Sequence, residues 1–162
     1  MKMELLSSFV FSFGAVYFFT ILFCSPKRTR LISALIGAVS YTTFVLLGKL
    51  GVHFLVAYFF STMIIAISSE IFAVLQKAPS TCFTNTAIIA LVPGIGLYQT
   101  MNLFTFGKYE QGGEIGIQTL LSIGTMAMAL AVSLMLIRLV HYLVNNIVIL
   151  YKKRLISLKN KK

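Results

Sequence analysis

Aspartate is absent, and only four glutamates occur, at Glu4, Glu70, Glu110 and Glu114. Carboxylate cages for hard cations and paired-carboxylate catalysis are thereby nearly excluded. The two histidines (His53, His141) and two cysteines (Cys24, Cys82) stand at no spacing that suits a metal or a redox pair. No metal and no cofactor are expected. Nor does any apolar run contain a Ser/His or paired-Asp set, so no enzyme is expected. Charge as a whole is scarce: charged residues make up 11% of the chain, against roughly 25% in a soluble domain.

Apolar residues fill the gap, at 58% of 162 residues with a mean hydropathy of +0.91. Such a chain cannot cover its own surface with polar groups and must lie in lipid. At about 20 residues per span, five spans leave loops and tails but no soluble domain. The fold class expected is an all-α membrane protein, a polytopic bundle of about five transmembrane helices. The apolar runs place the spans near residues 5–24, 31–48, 52–75, 85–106 and 115–137, with a glycine-rich link over 107–113. The first run is too long for a signal-peptide core and has no small-residue exit, so it reads as a retained helix.

The fifth run continues through Arg138 to Leu150, and residues 115–150 as one helix would reach about 54 Å against a hydrocarbon core of about 30 Å. Residues 139–150 therefore protrude or lie along the interface. His141, Asn145 and Asn146 fall on one side of that stretch at helical spacing.

The net charge of +10 would suggest nucleic acid in a soluble chain. Here the cations sit in loops and in the basic tail 151–162, where they set topology and meet anionic lipid. The Pro26–Arg30 turn holds three, the 76–84 loop one (Lys77) and the tail six. The opposite side holds Lys2, Lys49 and Lys108 together with three of the four glutamates. Ten against three predicts the N-terminus outside and the tail in the cytoplasm, which requires an odd number of spans.

Glu70 is the only carboxylate inside a span, roughly 8 Å below the inner boundary. A charge there needs a partner, a cavity or a bound proton. It reads either as a proton or substrate-amine site, or as a structural ion pair with Arg138 or Lys77. In the fourth span, Pro93 removes a backbone donor and Gly94 and Gly96 lower the cost of unwinding. The helix is expected to be broken or kinked at Pro93-Gly94. Broken helices of this kind form substrate sites in many secondary transporters, and Tyr98 and Gln99 just beyond supply polar groups. The plain alternative is an ordinary proline kink. Ser33-x-x-x-Gly37, Ala34-x-x-x-Ala38, Ala127-x-x-x-Ala131 and Ala129-x-x-x-Ser133 mark faces where helices could approach closely.

Glu70, then Lys77-Ala78-Pro79-Ser80-Thr81-Cys82-Phe83, then Ile88-Ile89-Ala90-Leu91-Val92-Pro93-Gly94 with Tyr98 and Met101, resembles the signature of the threonine/serine exporter family. More narrowly, it is similar to that family's small-subunit or C-terminal-half component, over about residues 5–150. Ala87 and Ala90 depart from it, since members often carry further Pro or Gly there. The resemblance implies gradient-coupled export of small hydroxy-amino acids across a bacterial cytoplasmic membrane. It also implies a larger five-span partner subunit. An oligomer is compatible with the small-residue faces, and nucleic acid is not a partner. Glu70, Pro93, Gly94, Tyr98 and Gln99 are then the transport or substrate candidates, and Lys77, Pro79 and Arg138 the structural or ion-pair candidates. The competing reading is a non-transporting membrane scaffold or assembly subunit.

Overall fold

The structure, a computed structural model, describes the backbone of residues 2–159 and the side chains of residues 3–140, 142 and 143. Every element among the described residues is helical: α1 (Lys2–Leu22), α2 (Lys27–Lys49), α3 (Phe54–Gln76), α4 (Thr81–Ala87), a 3-10 turn (Ile88–Leu91), α5 (Gly94–Thr105) and α6 (Tyr109–Lys159). Four stretches are long and apolar enough to cross a membrane: Met3–Leu22, Lys27–Lys49, Phe54–Gln76 and Tyr109–Val140. The fifth is a bent pair, Thr81–Leu91 with Gly94–Thr105, at an angle of 54°. The protein is thus an all-α, multi-pass membrane protein whose fourth span is broken where the proline stands.

The break has a local cause. Pro93 offers no N–H to the carbonyl of Ala90, the acceptor that a continued 3-10 turn would assign it. Its φ of −76° and ψ of 63°, with the Gly94 N–H on the Val92 carbonyl at 2.7 Å, form an inverse γ-turn. Each half reaches only about 18 Å, so neither alone crosses a core of about 30 Å.

Helices α1, α2, α3 and α5 end alike. A left-handed residue (Cys24, Gly51, Lys77 or Gly107) lets the next N–H return to a carbonyl five residues back. The pairs are Ser25 to Thr20, Val52 to Leu47, Ala78 to Ala73 and Lys108 to Leu103. This satisfies carbonyls that a helix end would otherwise leave in lipid. The Lys77-Ala78-Pro79 loop is therefore a helix stop, with Lys77 in the left-handed position and Pro79 just beyond. Lys77 and Pro79 are both exposed.

Helices α1 and α2 form a hairpin whose far ends are tied by Lys49 and Glu4, Nζ to Oε2 at 2.6 Å. Ser40 donates from α2 to the Ser61 carbonyl of α3 at 2.6 Å, within a buried contact. The core joins Ile36, Ile65, Ala73, Phe83, Ala87, Leu91 and Met126, between the Pro26–Arg30 face and the middle of the bundle. Small residues let the helices approach: Ser33, Ala34, Gly37 and Ala38 of α2 are buried. A Cβ at Gly37 would meet Val16 at 2.8 Å and the Ala87 carbonyl at 3.3 Å.

On α6 the buried seam is Thr119, Ser122, Met126, Ala129 and Ser133, while Ala127 and Ala131 are exposed. Helix α6 runs unbroken for 51 residues, about 77 Å, and extends through the stretches 139–150 and 151–159. The side chains of His141, Asn145 and Asn146 lie outside the described residues.

Candidate functional site

The two halves of the broken span are held differently. Helix α4 and the 3-10 turn pack among α1, α2 and α3, whereas α5 packs on α6 alone and buries no residue. The α5–α6 contact is glycine-lined. A Cβ at Gly96 would strike the Thr119 hydroxyl, one at Gly112 would meet the Phe104 ring at 2.8 Å, and one at Gly116 would meet Thr100 at 3.1 Å. These contacts clamp α5 to α6 and leave a gap on its other side.

That gap is a cavity of about 440 Å³, within the usual size range of small-molecule sites. Its floor is the break itself, from Ala90 through Pro93 to Gly96, and Gln99 stands beside it. Across it stand Tyr41, Phe44, Phe54 and Tyr58 of α2 and α3, and Gln118, Thr119 and Ser122 of α6 complete the wall. The aromatic side is packed as a unit, with Tyr41–Phe44 centroids 6.3 Å apart and Phe44–Tyr58 4.5 Å apart. Thr119 and Ser122 turn their hydroxyl protons back to the carbonyls of Ile115 and Gln118, at 2.7 and 2.9 Å. Their oxygens retain acceptor capacity toward the cavity. The amides of Gln99 and Gln118 make no hydrogen bond among the described residues.

The chemistry on offer is that of a zwitterion cradle. Helix α5 begins at Gly94, and its N-cap, Pro93, makes no side-chain cap bond. The N–H groups of Ile95 and Gly96 and the positive end of its dipole therefore suit a carboxylate. Carbonyls of the interrupted 3-10 turn suit an ammonium, and the glutamine amides suit a hydroxyl.

Of the residues singled out from sequence, Pro93, Gly94 and Gln99 meet here. Tyr98 is 70% exposed and does not line the cavity. Glu70 is elsewhere. It is half-buried in an apolar groove of about 510 Å³ between α3 and α6, with Ile67, Ile71, Val74 and Leu136 as neighbours. Tyr58, the cavity residue on the same helix, precedes it by twelve positions, about 18 Å along the axis. Among the described residues Glu70 makes no ion pair within 4.0 Å, with Arg138, Lys77 or any other cation. Arg138 is exposed.

With the break and its cavity in view, comparison with known families is decisive: the family described as Threonine/Serine exporter, ThrE, matches residues 8–137. The chain belongs to the threonine/serine exporter family. Its class is thereby amino-acid transport by a multi-pass membrane protein. No curated protein and no solved structure matches the chain.

The exporter's cavity includes residues that the sequence reading passed over. Tyr41, Tyr58, Gln118, Thr119 and Ser122 lie inside apolar runs and look like ordinary span residues. The one usable signal was Gln118, an amide in an otherwise apolar run. Gly112-x-x-x-Gly116 was also in plain view. It fell in and beside the glycine-rich link expected over 107–113, whereas α6 already begins at Tyr109.

Proposed function

We propose that this exporter chain is the smaller subunit of a secondary transporter that carries threonine and serine out across the bacterial cytoplasmic membrane, with substrate bound at the helix break. The observation that carries the reading is the coincidence, in one cavity, of the Pro93-Gly94 break with Gln99, Gln118, Thr119 and Ser122. A small hydroxy-amino acid places its carboxylate at the start of α5, its ammonium toward the carbonyls before Pro93, and its hydroxyl among the amides. Tyr98, outside the cavity, faces lipid or a partner.

In this reading Glu70 supplies the coupling proton away from the substrate. A carboxyl in an apolar groove with no ion-pair partner among the described residues is a group that gradient coupling can use. A larger five-span subunit covers the open side of α5, and the basic tail meets anionic lipid on the cytoplasmic side. Lys77, Pro79 and Arg138 serve structure and topology.

Efflux of radiolabelled threonine from loaded cells expressing this chain with the larger subunit tests the site. Gln99→Ala and Gln118→Ala are each expected to lower efflux about tenfold, the loss for a hydrogen bond to a bound polar group, at unchanged membrane abundance. Normal efflux by both variants contradicts the site.

A further inference from the structure

A second polar cavity, of about 420 Å³, lies on the other side of the broken span, against α1. Ser7, Ser8 and Ser12 bring hydroxyls to it from an otherwise apolar stretch of helix. Ser7 donates to the Glu4 carbonyl at 2.8 Å, while the Ser8 and Ser12 hydroxyls make no hydrogen bond among the described residues. Ser12 is 8% exposed. Hydroxyls at this depth cost free energy unless something polar meets them.

The two cavities share a wall. Tyr41 and Ala90 line both. Ala90 is a methyl group on the 3-10 turn, at the very place where the backbone is interrupted. Tyr41 is half-buried, its ring held by Phe44, and its phenol makes no hydrogen bond among the described residues. Tyr41, with one apolar face and one polar tip, stands together with Ala90 of the 3-10 turn where the two chambers meet.

We propose that the α1-side cavity is a second subsite for the small zwitterionic substrate, in series with the cavity at the break, and that Tyr41 is the positioning residue that controls passage between them. The proposal rests on the substrate site described above. The hydroxyls of Ser8 and Ser12 bind the polar atoms of the passing amino acid. The Tyr41 ring sets the width of the opening, with Ala90 opposite leaving room for a small side chain.

The test uses the full chain with its larger subunit, in a Cys24→Ser/Cys82→Ala background that retains threonine efflux. With Ser12→Cys, a small cationic methanethiosulfonate is expected to lower efflux about tenfold, because the modified side chain fills the subsite. Excess threonine is expected to slow the modification. Phe18→Cys, on an exposed face of α1, takes the same reagent without loss. Tyr41→Trp is expected to lower the maximal rate about tenfold with KM little changed, as for a barrier crossed after binding. Tyr41→Ala is expected to raise export of glutamine relative to threonine, a change in size discrimination that mere structural damage would not produce. Membrane abundance is measured for every variant.

Full modification of Ser12→Cys with normal efflux overturns the second subsite. Unchanged size discrimination in Tyr41→Ala, with Tyr41→Trp transporting normally, overturns the role of Tyr41. If these fail while Gln99→Ala still lowers efflux, only this inference is lost. If Gln99→Ala and Gln118→Ala transport normally, the site at the break has failed first.

Discussion

Glu70 shows how far a single residue can be read from sequence. Its depth in the third span and the cost of a charge there followed from spacing alone. Two outcomes stayed open, an ion pair with Arg138 or a proton-exchanging group. Pairing depends on where two side chains on different helices point, and spacing on one helix does not carry that information. In the structure no ion pair joins Glu70 to Arg138. Glu70→Gln is therefore expected to leave membrane abundance near normal. Its stability coupling to Arg138→Gln should stay below about 0.5 kcal/mol, the range of sites that do not interact, while gradient-driven efflux falls. A double-mutant cycle read by thermal unfolding in detergent, alongside efflux, checks all three points. A Glu70→Gln loss of folded protein that Arg138→Gln restores would reinstate the pair.

Lys77 and Cys24 teach the opposite lesson. Both sit at φ 51°, where glycine is the easy residue, and neither residue type announces a helix stop. Gly51 and Gly107 do announce one, and both are found there.

Among the elements, the broken fourth span was legible because Pro-Gly inside an apolar run has few structural outcomes. Its asymmetry was not. That α4 is locked into the bundle while α5 rests on α6 alone depends on which helices lie next to one another, and a single sequence does not order them. The glycines give that arrangement a sharp test. Nothing lies within 4 Å of a Cβ at Gly113, whereas one at Gly112 meets Phe104 at 2.8 Å and 2.9 Å. Gly113→Ala is expected to stabilise the chain by about 1 kcal/mol through helix propensity. Gly112→Leu should destabilise it by about 1–3 kcal/mol through overpacking. Thermal midpoints of the purified assembly would separate the two. Equal behaviour would mean that α5 is not clamped as described.

For the whole molecule, the apolar core lies toward the Pro26–Arg30 face and the polar cavities toward the Lys49 face. The all-α class and its long apolar spans followed from hydropathy, because lipid leaves apolar runs of this length no fold but the helix. The cavities did not, since the tyrosines and hydroxyl residues that line them also occur in ordinary spans. With the N-terminus outside, as the ten-to-three distribution of cations predicts, the Lys49 face with its cavities is the outer one. An impermeant thiol reagent on intact cells should then label a cysteine placed at Lys108 but not one at Lys159, and the reverse pattern would invert the protein.

Occupancy of the Pro93-Gly94 break by the amino acid is tested most directly by substrate protection at the cavity wall. Gln99 of α5 and Ser122 of α6 line the same chamber, so a substrate held by the first shields the second. In the assembled exporter, with Cys24 and Cys82 replaced, the rate at which a small thiol reagent modifies Ser122→Cys is measured with and without threonine. Threonine is predicted to slow modification several-fold, and Gln99→Ala to remove that protection. Equal rates with and without threonine, in an assembly that still exports it, would contradict binding at the break.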